Sequence, residues 1–279
     1  CIRDRFITTD NPKNAITAHY ITRPGRQTFE CYSWMNGHDV RYTIPKGVKV
    51  LSLKYRWMTV GEMAGRFQID DPFYQRLWDM CYNTLFVCAR DNFMDCPDRE
   101  RALWIGDVAD QTSYLFYSMD DAGRKLLRMA IISTMCFSDN KVIGALGPLR
   151  VRELVCQSLQ FIAQCIWLYY INTGDKVILS EVYPFVYDYL SLFPMKENGL
   201  PEYRKGKSPD SWDWLDWGVK GTIDNEPIQV AFYYMALDKA REIALLLGKS
   251  DDVKWYEDRM KSIKTNYDKC FWQNGFYSS

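Results

Sequence analysis

The chain has 279 residues, enough for one large domain or two smaller ones. Its 35 Lys and Arg balance 35 Asp and Glu, so no basic field favours nucleic acid or an anionic membrane as partner. No apolar run approaches the ~18 residues that a membrane-spanning helix needs.

The nine cysteines are an odd count, and Cys81, Cys88, Cys136, Cys156, Cys165 and Cys270 lie among apolar residues at helical spacing. They read as small buried hydrophobes rather than a disulfide framework. The two histidines, His19 and His38, sit near no Cys pair with zinc spacing. That argues against a His-rich metal centre and against a Ser-His-Asp triad, so neither a metal nor a cofactor is expected. Aromatic residues reach 15%, with 10 Trp and 19 Tyr. Such an excess fits an aromatic-lined carbohydrate cleft and equally a bulky helical core.

In chain order, residues 1 to about 60 read as β. Residues 28–34 and 39–44 alternate around Asn36-Gly37, a hairpin signal, and a turn at Pro45-Lys46-Gly47 leads into a strand-like run over 48–60. After Phe67 the period becomes helical. From 71 to 92, Phe73, Leu77, Met80, Cys81, Leu85 and Cys88 mark an apolar face, and Asp70-Asp71-Pro72 is a helix entry. Further helices are predicted at about 108–118, 121–136, 150–173, 176–192, 226–247 and 250–270, with stops at Gly174-Asp175 and Gly248-Lys249-Ser250-Asp251. Long helices joined in pairs predict an α-hairpin array or toroid. The loops at 92–107, 138–149 and 194–225 are longer than connection alone requires, and chemistry usually sits on such loops. The chain opens at Cys1 without a signal peptide and stops at Ser279 just after an aromatic turn, so it reads as a piece of a longer polypeptide.

The densest chemistry lies in Asp95-Cys96-Pro97-Asp98-Arg99-Glu100-Arg101-Ala102-Leu103-Trp104-Ile105-Gly106-Asp107, where thirteen residues hold four carboxylates. Pro97 pushes Cys96 extended, and Gly106 permits a close approach at the entry of the next helix. Clustered carboxylates do not all ionise cheaply, so one flanked by apolar surface takes up a proton and can act as an acid near neutrality. Glu100, four residues before Trp104, is the candidate. Arg99 and Arg101 hold the remaining carboxylates charged.

Asp-Cys-Pro-x-Arg-Glu followed by Trp104 and Asp107 resembles the signature of the α-L-rhamnosidases of glycoside hydrolase family 78. The preceding stretch GRFQIDDPFYQRLWDMCYNT (65–84) and the later Trp212-Asp213-Trp214-Leu215-Asp216-Trp217-Gly218 are also similar to that family. The resemblance covers roughly residues 28–279 in order of elements, although its specific motifs span only about 20 residues. Asp98 stands where the family more often has Gln, and Ala102-Leu103 where it has Leu-Gly.

The resemblance implies a mainly α protein. It would hold an incomplete (α/α)6 barrel over 67–279, preceded over 1–66 by the end of a β-sandwich. It implies hydrolysis of terminal, non-reducing α-L-rhamnosyl residues with inversion, on a rhamnose-containing oligosaccharide, polysaccharide or glycoside. Glu100 would be the general acid. Asp95 and Asp107 would bind the sugar hydroxyls, Trp104 would pack on its apolar face, and Asp213, Trp214 and Trp217 would form a further wall. The general base is expected beyond residue 279. A periplasmic or cell-surface location suits polysaccharide breakdown, whereas many unpaired cysteines suit a reducing interior.

Plainer readings stand beside these. The acidic loop could be a solvated turn. The 212–217 loop could be a hydrophobic lid, with one of Asp213 and Asp216 on sugar and the other capping or ion-paired. Asp120-Asp121 reads as a helix cap, as does Asn225-Glu226. The charged stretch 249–264 reads as a solvated helix face. As a whole, a non-catalytic carbohydrate-binding protein of the same fold is the alternative function, and a helical scaffold for protein partners a third.

Overall fold

The computed structural model describes residues 18–32, 40–97, 100–138, 141–147, 153–205, 213, 215 and 224–278. The chain divides into two compact units, Cys1–Met58 with Cys96–Glu100, and Thr59–Asp95 with Arg101–Ser279.

In the first unit the expected strands do not form among the described residues. The run over 48–58 lies in no ladder, and Leu51, Leu53, Tyr55 and Trp57 are exposed. Period-2 alternation becomes a strand only when a neighbour takes up the backbone N–H and C=O groups, and no described segment does so here. Local contacts remain. Tyr20 stacks on Phe29 at 4.6 Å and its hydroxyl donates to Gln27 Oε1 at 2.9 Å, while Arg56 pairs with Glu30.

The second unit is helical. It holds α1 (Pro72–Cys88), β1 (Leu103–Trp104), α2 (Ile105–Ser118), α3 (Asp121–Cys136), β2 (Leu146–Gly147) and α4 (Val155–Gln160). A π-helical turn (Phe161–Ile166) then runs into α5 (Trp167–Thr173), followed by α6 (Lys176–Leu190), α7 (Asn225–Leu246), α8 (Ser250–Phe271) and the pair β3 (Trp272–Gln273) and β4 (Phe276–Tyr277). No helix among the described residues is long and apolar enough to cross a membrane.

Local chemistry sets the boundaries. Asp71 caps α1 through Phe73 N–H with Pro72 at the first position, and Asp120 caps α3 through Ala122 N–H. Gly174 ends α5 in the left-handed region at φ 68°, where a side chain is strained. Asp175 then caps α6 through Val177 and Ile178 N–H and accepts from Arg128 Nε at 3.1 Å. Burial alone would raise the Asp175 pKa, but the Ile178 N–H and the Arg128 guanidinium outweigh it and hold the carboxyl below its ordinary range. A depressed carboxyl pKa stabilises the fold above the unfolded value and loses that contribution as pH falls through the folded one. Asp175→Ala is therefore expected to cost about 1 kcal/mol at pH 7. The gap to wild type should close below about pH 4 in urea titrations, and a pH-independent gap would contradict this account.

Two parallel sets of helices follow from cross-helix pairs. Gln160 donates to Asp110 and Gln164 to Ser113, so α4 and the π-turn run alongside α2 in the same direction. Lys239 lies 5.7 Å over the Trp167 ring, while Gln229 and Cys156 share a partner near the helix starts, so α7 runs the same way. In the other set, Arg128 meets Asp175 and Lys141 meets Asp188. Tyr183 donates to Asp252 and Arg259 to the Phe193 carbonyl, so α3, α6 and α8 are also mutually parallel. Tight turns join each first-set helix to its second-set partner, giving the hairpin alternation expected of an (α/α) barrel. All three long connections, 89–104, 137–154 and 191–224, therefore emerge at one end, beside the N-termini of α2, α4 and α7.

The core lies between the two sets and includes Leu115, Leu127, Ile131, Leu159, Phe161, Leu179, Val186, Leu237 and Ile243. Of the expected α1 face, Leu85 and Cys88 are buried, but Phe73, Leu77, Met80 and Cys81 are exposed, because α1 meets α2 only near its C-terminal end. Cys136 is exposed as well, while Cys88, Cys156 and Cys165 are buried. The segment from Thr59 to Gly65 straps across these helices. Val60 N–H donates to the Ala89 carbonyl and Gly65 N–H to that of Ser118. A Cβ on Gly65 would fall 1.9 Å from the Tyr117 carbonyl oxygen, so only glycine fits there.

Candidate active site

The first long connection carries the acidic loop. After α1, Met94 N–H returns to the Cys88 carbonyl, and Gln111 Nε2 donates to the Met94 carbonyl at 2.8 Å, fixing the approach from inside. Asp95 then forms the base of the loop. Its N–H donates to the Ala102 carbonyl at 3.0 Å and its Oδ1 accepts the Ala102 N–H at 3.0 Å. Residues 96–101 lie between these clasps, and Arg101 has a φ of 54°.

Beyond the clasp, Trp104 is half-buried against the core, and β1 pairs with β2 at Leu103–Gly147 and Trp104–Leu146. Ile105 N–H donates to the Ala145 carbonyl at 2.9 Å. Asp107 sits half-buried in the first turn of α2, where the helix dipole favours a carboxylate. Gly106 allows a close approach here. A Cβ at that position would lie 2.7 Å from the Gln157 amide carbon, so its absence lets α2 start against the first turns of α4.

A second cluster occupies the same end. Asp213 is only 8% exposed. Its Oδ1 accepts Cys156 N–H at 3.3 Å and its Oδ2 accepts Gln229 Nε2 at 2.9 Å. The Tyr203 hydroxyl and the Cys156 thiol also lie near enough to favour its charged form. Burial raises the Asp213 carboxyl above its ordinary value, against the pull of these donors. Burial and the neighbouring Asp213 push Tyr203 up to about 12 and raise the Cys156 thiol. Asp224 caps α7, which frees Asn225 to donate to the Asp213 carbonyl at 2.8 Å.

Next to it, Glu153 is 1% exposed and takes both arms of Arg204, each at 2.8 Å, while the Tyr189 hydroxyl donates at 3.0 Å.

The structure thus gathers Asp95, Trp104 and Asp107 at the entry of α2. It places Asp213 against the next first-set helix start, with Gly106 beside Gln157 and Asp213 on the adjoining Cys156. Glu100 belongs to the other unit, where it is exposed and its N–H donates to Cys96 Sγ at 3.4 Å. Trp214 and Trp217 lie outside the described residues, as do Trp212 and Asp216.

Residues 62–278 match the model for the bacterial alpha-L-rhamnosidase 6 hairpin glycosidase domain. The chain belongs to this rhamnosidase domain family. A curated α-L-rhamnosidase of Formosa agariphila is 23% identical across 98% of this chain, which spans 30% of that protein. The family 78 rhamnosidase of Bacillus sp. GL1 superposes with a TM-score of 0.65 at 18% identity, covering 77% of this chain and 22% of that one. The Klebsiella oxytoca rhamnosidase, solved with rhamnose bound, gives 0.66 at 21% identity, covering 76% and 42%. At these identities the solved structures establish the six-hairpin fold.

Within this rhamnosidase domain, sequence reading missed Glu153, Arg204, Tyr203 and Gln229. None carries a local signal. Glu153 precedes an apolar run, Arg204 sits in a polar loop, and they meet only across 51 positions of chain.

Proposed function

We propose that the polypeptide carrying this chain hydrolyses terminal, non-reducing α-L-rhamnosyl residues by an inverting mechanism. The family match over 62–278 carries this reading, since it takes in the acidic loop and the Asp213 segment together. The grouping of Asp95, Trp104 and Asp107 at one helix entry supports it, because a hexose needs polar contacts to its hydroxyls and an apolar face to stack on. Glu100 is assigned as the acid that protonates the leaving oxygen. Asp95 and Asp107 bind hydroxyls, and Trp104, Trp214 and Trp217 form walls. We keep Asp213 as part of the wall rather than a direct hydroxyl ligand, because its oxygens are engaged by the protein.

Inversion needs a second carboxylate about 6.5–9.5 Å from the acid to activate water. Glu153 is held by Arg204 and Tyr189, and Asp213 by its donors, so we assign the base to neither.

The test is rhamnose release from a natural α-L-rhamnosyl disaccharide, with the anomer of the first-formed sugar read by NMR. Release of the inverted anomer supports the proposal. Retention overturns the mechanism. Binding of L-rhamnose without turnover moves the assignment to a non-catalytic carbohydrate-binding protein.

A further inference from the structure

Gln111 lies on the second turn of α2, one turn from the buried Val108 and Leu115, and is itself 7% exposed. An apolar residue would fill such a position and would need no partners. Gln111 carries an amide instead, and uses half of it. Its Nε2 donates to the Met94 carbonyl at 2.8 Å. Its Oε1 is buried with no hydrogen-bond partner among the described residues. Buried polar groups are normally paired, so an amide kept at the cost of an unsatisfied carbonyl is informative. What it adds is a tie from α2 to the residue that precedes Asp95.

That tie links the two carboxylates assigned to the sugar. Asp107 stands on α2 one turn before Gln111, ~6 Å along the helix axis. Met94 and Asp95 are consecutive, one backbone step of ~3.8 Å apart. Asp95 is also joined through its N–H and Oδ1 to Ala102, three residues before α2 begins. The Asp95 segment is thereby tied to α2 at two heights, at the helix entry through Ala102 and at the second turn through Gln111. One tie sets a distance, whereas two at different heights also set an orientation. The geometry points to Gln111 as a positioning residue that holds Asp95 relative to Asp107 and so sets L-rhamnose affinity. It touches no substrate, because its Nε2 is committed to Met94 and its Oε1 is buried.

This inference rests on the rhamnosidase reading, so the test carries a readout independent of it. Gln111→Leu, close in size and without the amide, is compared with wild type in the polypeptide that carries this chain. Helical circular dichroism and cooperative melting check the fold. L-rhamnose affinity is measured by calorimetry, in wild type and in an Asp95→Ala background. Hydrogen exchange at the Asp95 and Ala102 amides is followed by mass spectrometry. The expected result is a folded variant whose L-rhamnose Kd rises about 10- to 100-fold, the scale on which small misplacements act. In the Asp95→Ala background the same substitution should change Kd by less than about 2-fold, because a residue that acts through Asp95 has nothing left to position. Unchanged affinity in a folded Gln111→Leu overturns the assignment. Equal losses in both backgrounds overturn it too, since a general structural defect adds independently of Asp95. If Asp95→Ala binds too weakly to titrate, Asp95→Asn, which keeps the clasp oxygen, supplies the background under the same criterion. If wild type itself does not bind L-rhamnose, the rhamnosidase reading fails and exchange alone decides the tether: several-fold faster exchange in Gln111→Leu supports it and an unchanged rate overturns it. If Gln111→Leu does not fold, Gln111→Met, unbranched and equally without a donor, takes its place. Failure of both to fold overturns a positioning role in favour of a purely structural one.

Discussion

Glu100→Gln is expected to lower rhamnose release from a natural α-L-rhamnosyl disaccharide by about 10²- to 10⁴-fold. A sugar alkoxide is a poor leaving group, so its departure depends on a proton delivered as the glycosidic bond breaks. Glutamine matches the shape of glutamic acid and can donate a hydrogen bond, but it cannot transfer a proton. An aryl rhamnoside with a good leaving group needs that proton much less, so its loss should be smaller by at least an order of magnitude. This difference separates an acid from a residue that merely binds. Equal losses on both substrates would make Glu100 a binding or structural residue, and no loss on either would remove it from the reaction. Binding of free L-rhamnose should change little, because the acid acts on the leaving oxygen. The Asp95–Ala102 hydrogen bonds join the two residues that bracket 96–101 in sequence.

Arg204→Met is expected to destabilise the fold by about 3–5 kcal/mol, the usual cost of breaking a buried ion pair from one side. Glu153 is 1% exposed and Arg204 closes on it with two 2.8 Å contacts. Without the guanidinium, the carboxylate keeps the Tyr189 hydroxyl but loses both charged contacts to Arg204 at a buried position. Most of the expected loss is the penalty of weakening the partners of a buried carboxylate rather than the net worth of the pair. The double variant Glu153→Met/Arg204→Met should therefore recover much of it, coming within about 2 kcal/mol of wild type, since apolar replacements of buried pairs are often near neutral. Urea unfolding midpoints of the three variants decide the matter. A single variant within about 1 kcal/mol of wild type would show that water reaches Glu153 and that the pair is not truly buried. Gln229 holds the Arg204 backbone independently, so the position of the loop backbone and the charge on Glu153 can be separated by experiment.

The helices, and the limits that caps set, were legible in the sequence because helix formation and capping are local, whereas the starts at Ile105 and Val155 differ from those expected at about 108 and 150. Asp71, Asp120 and Asp175 accept from N–H groups two or three residues away, and Gly174 ends its helix through its own backbone freedom. The acidic loop was legible for a similar reason. Its carboxylates, Pro97 and Gly106 lie within thirteen consecutive residues, and a glycine at a helix entry marks a close approach whichever neighbour fills it.

Only the tertiary structure decided the rest. Periodicity marked an apolar face on α1, but whether Phe73, Leu77 and Met80 are covered depends on what packs there, and they are exposed. Alternation over 48–60 marked possible strands, but a ladder needs a partner that local sequence does not specify. The network of Glu153, Arg204, Asp213 and Gln229 joins residues 16 to 51 positions apart. Contacts at such separations follow no period and leave no motif. They arise when parallel helices bring their N-terminal ends, and the long loops above them, to one side of the molecule.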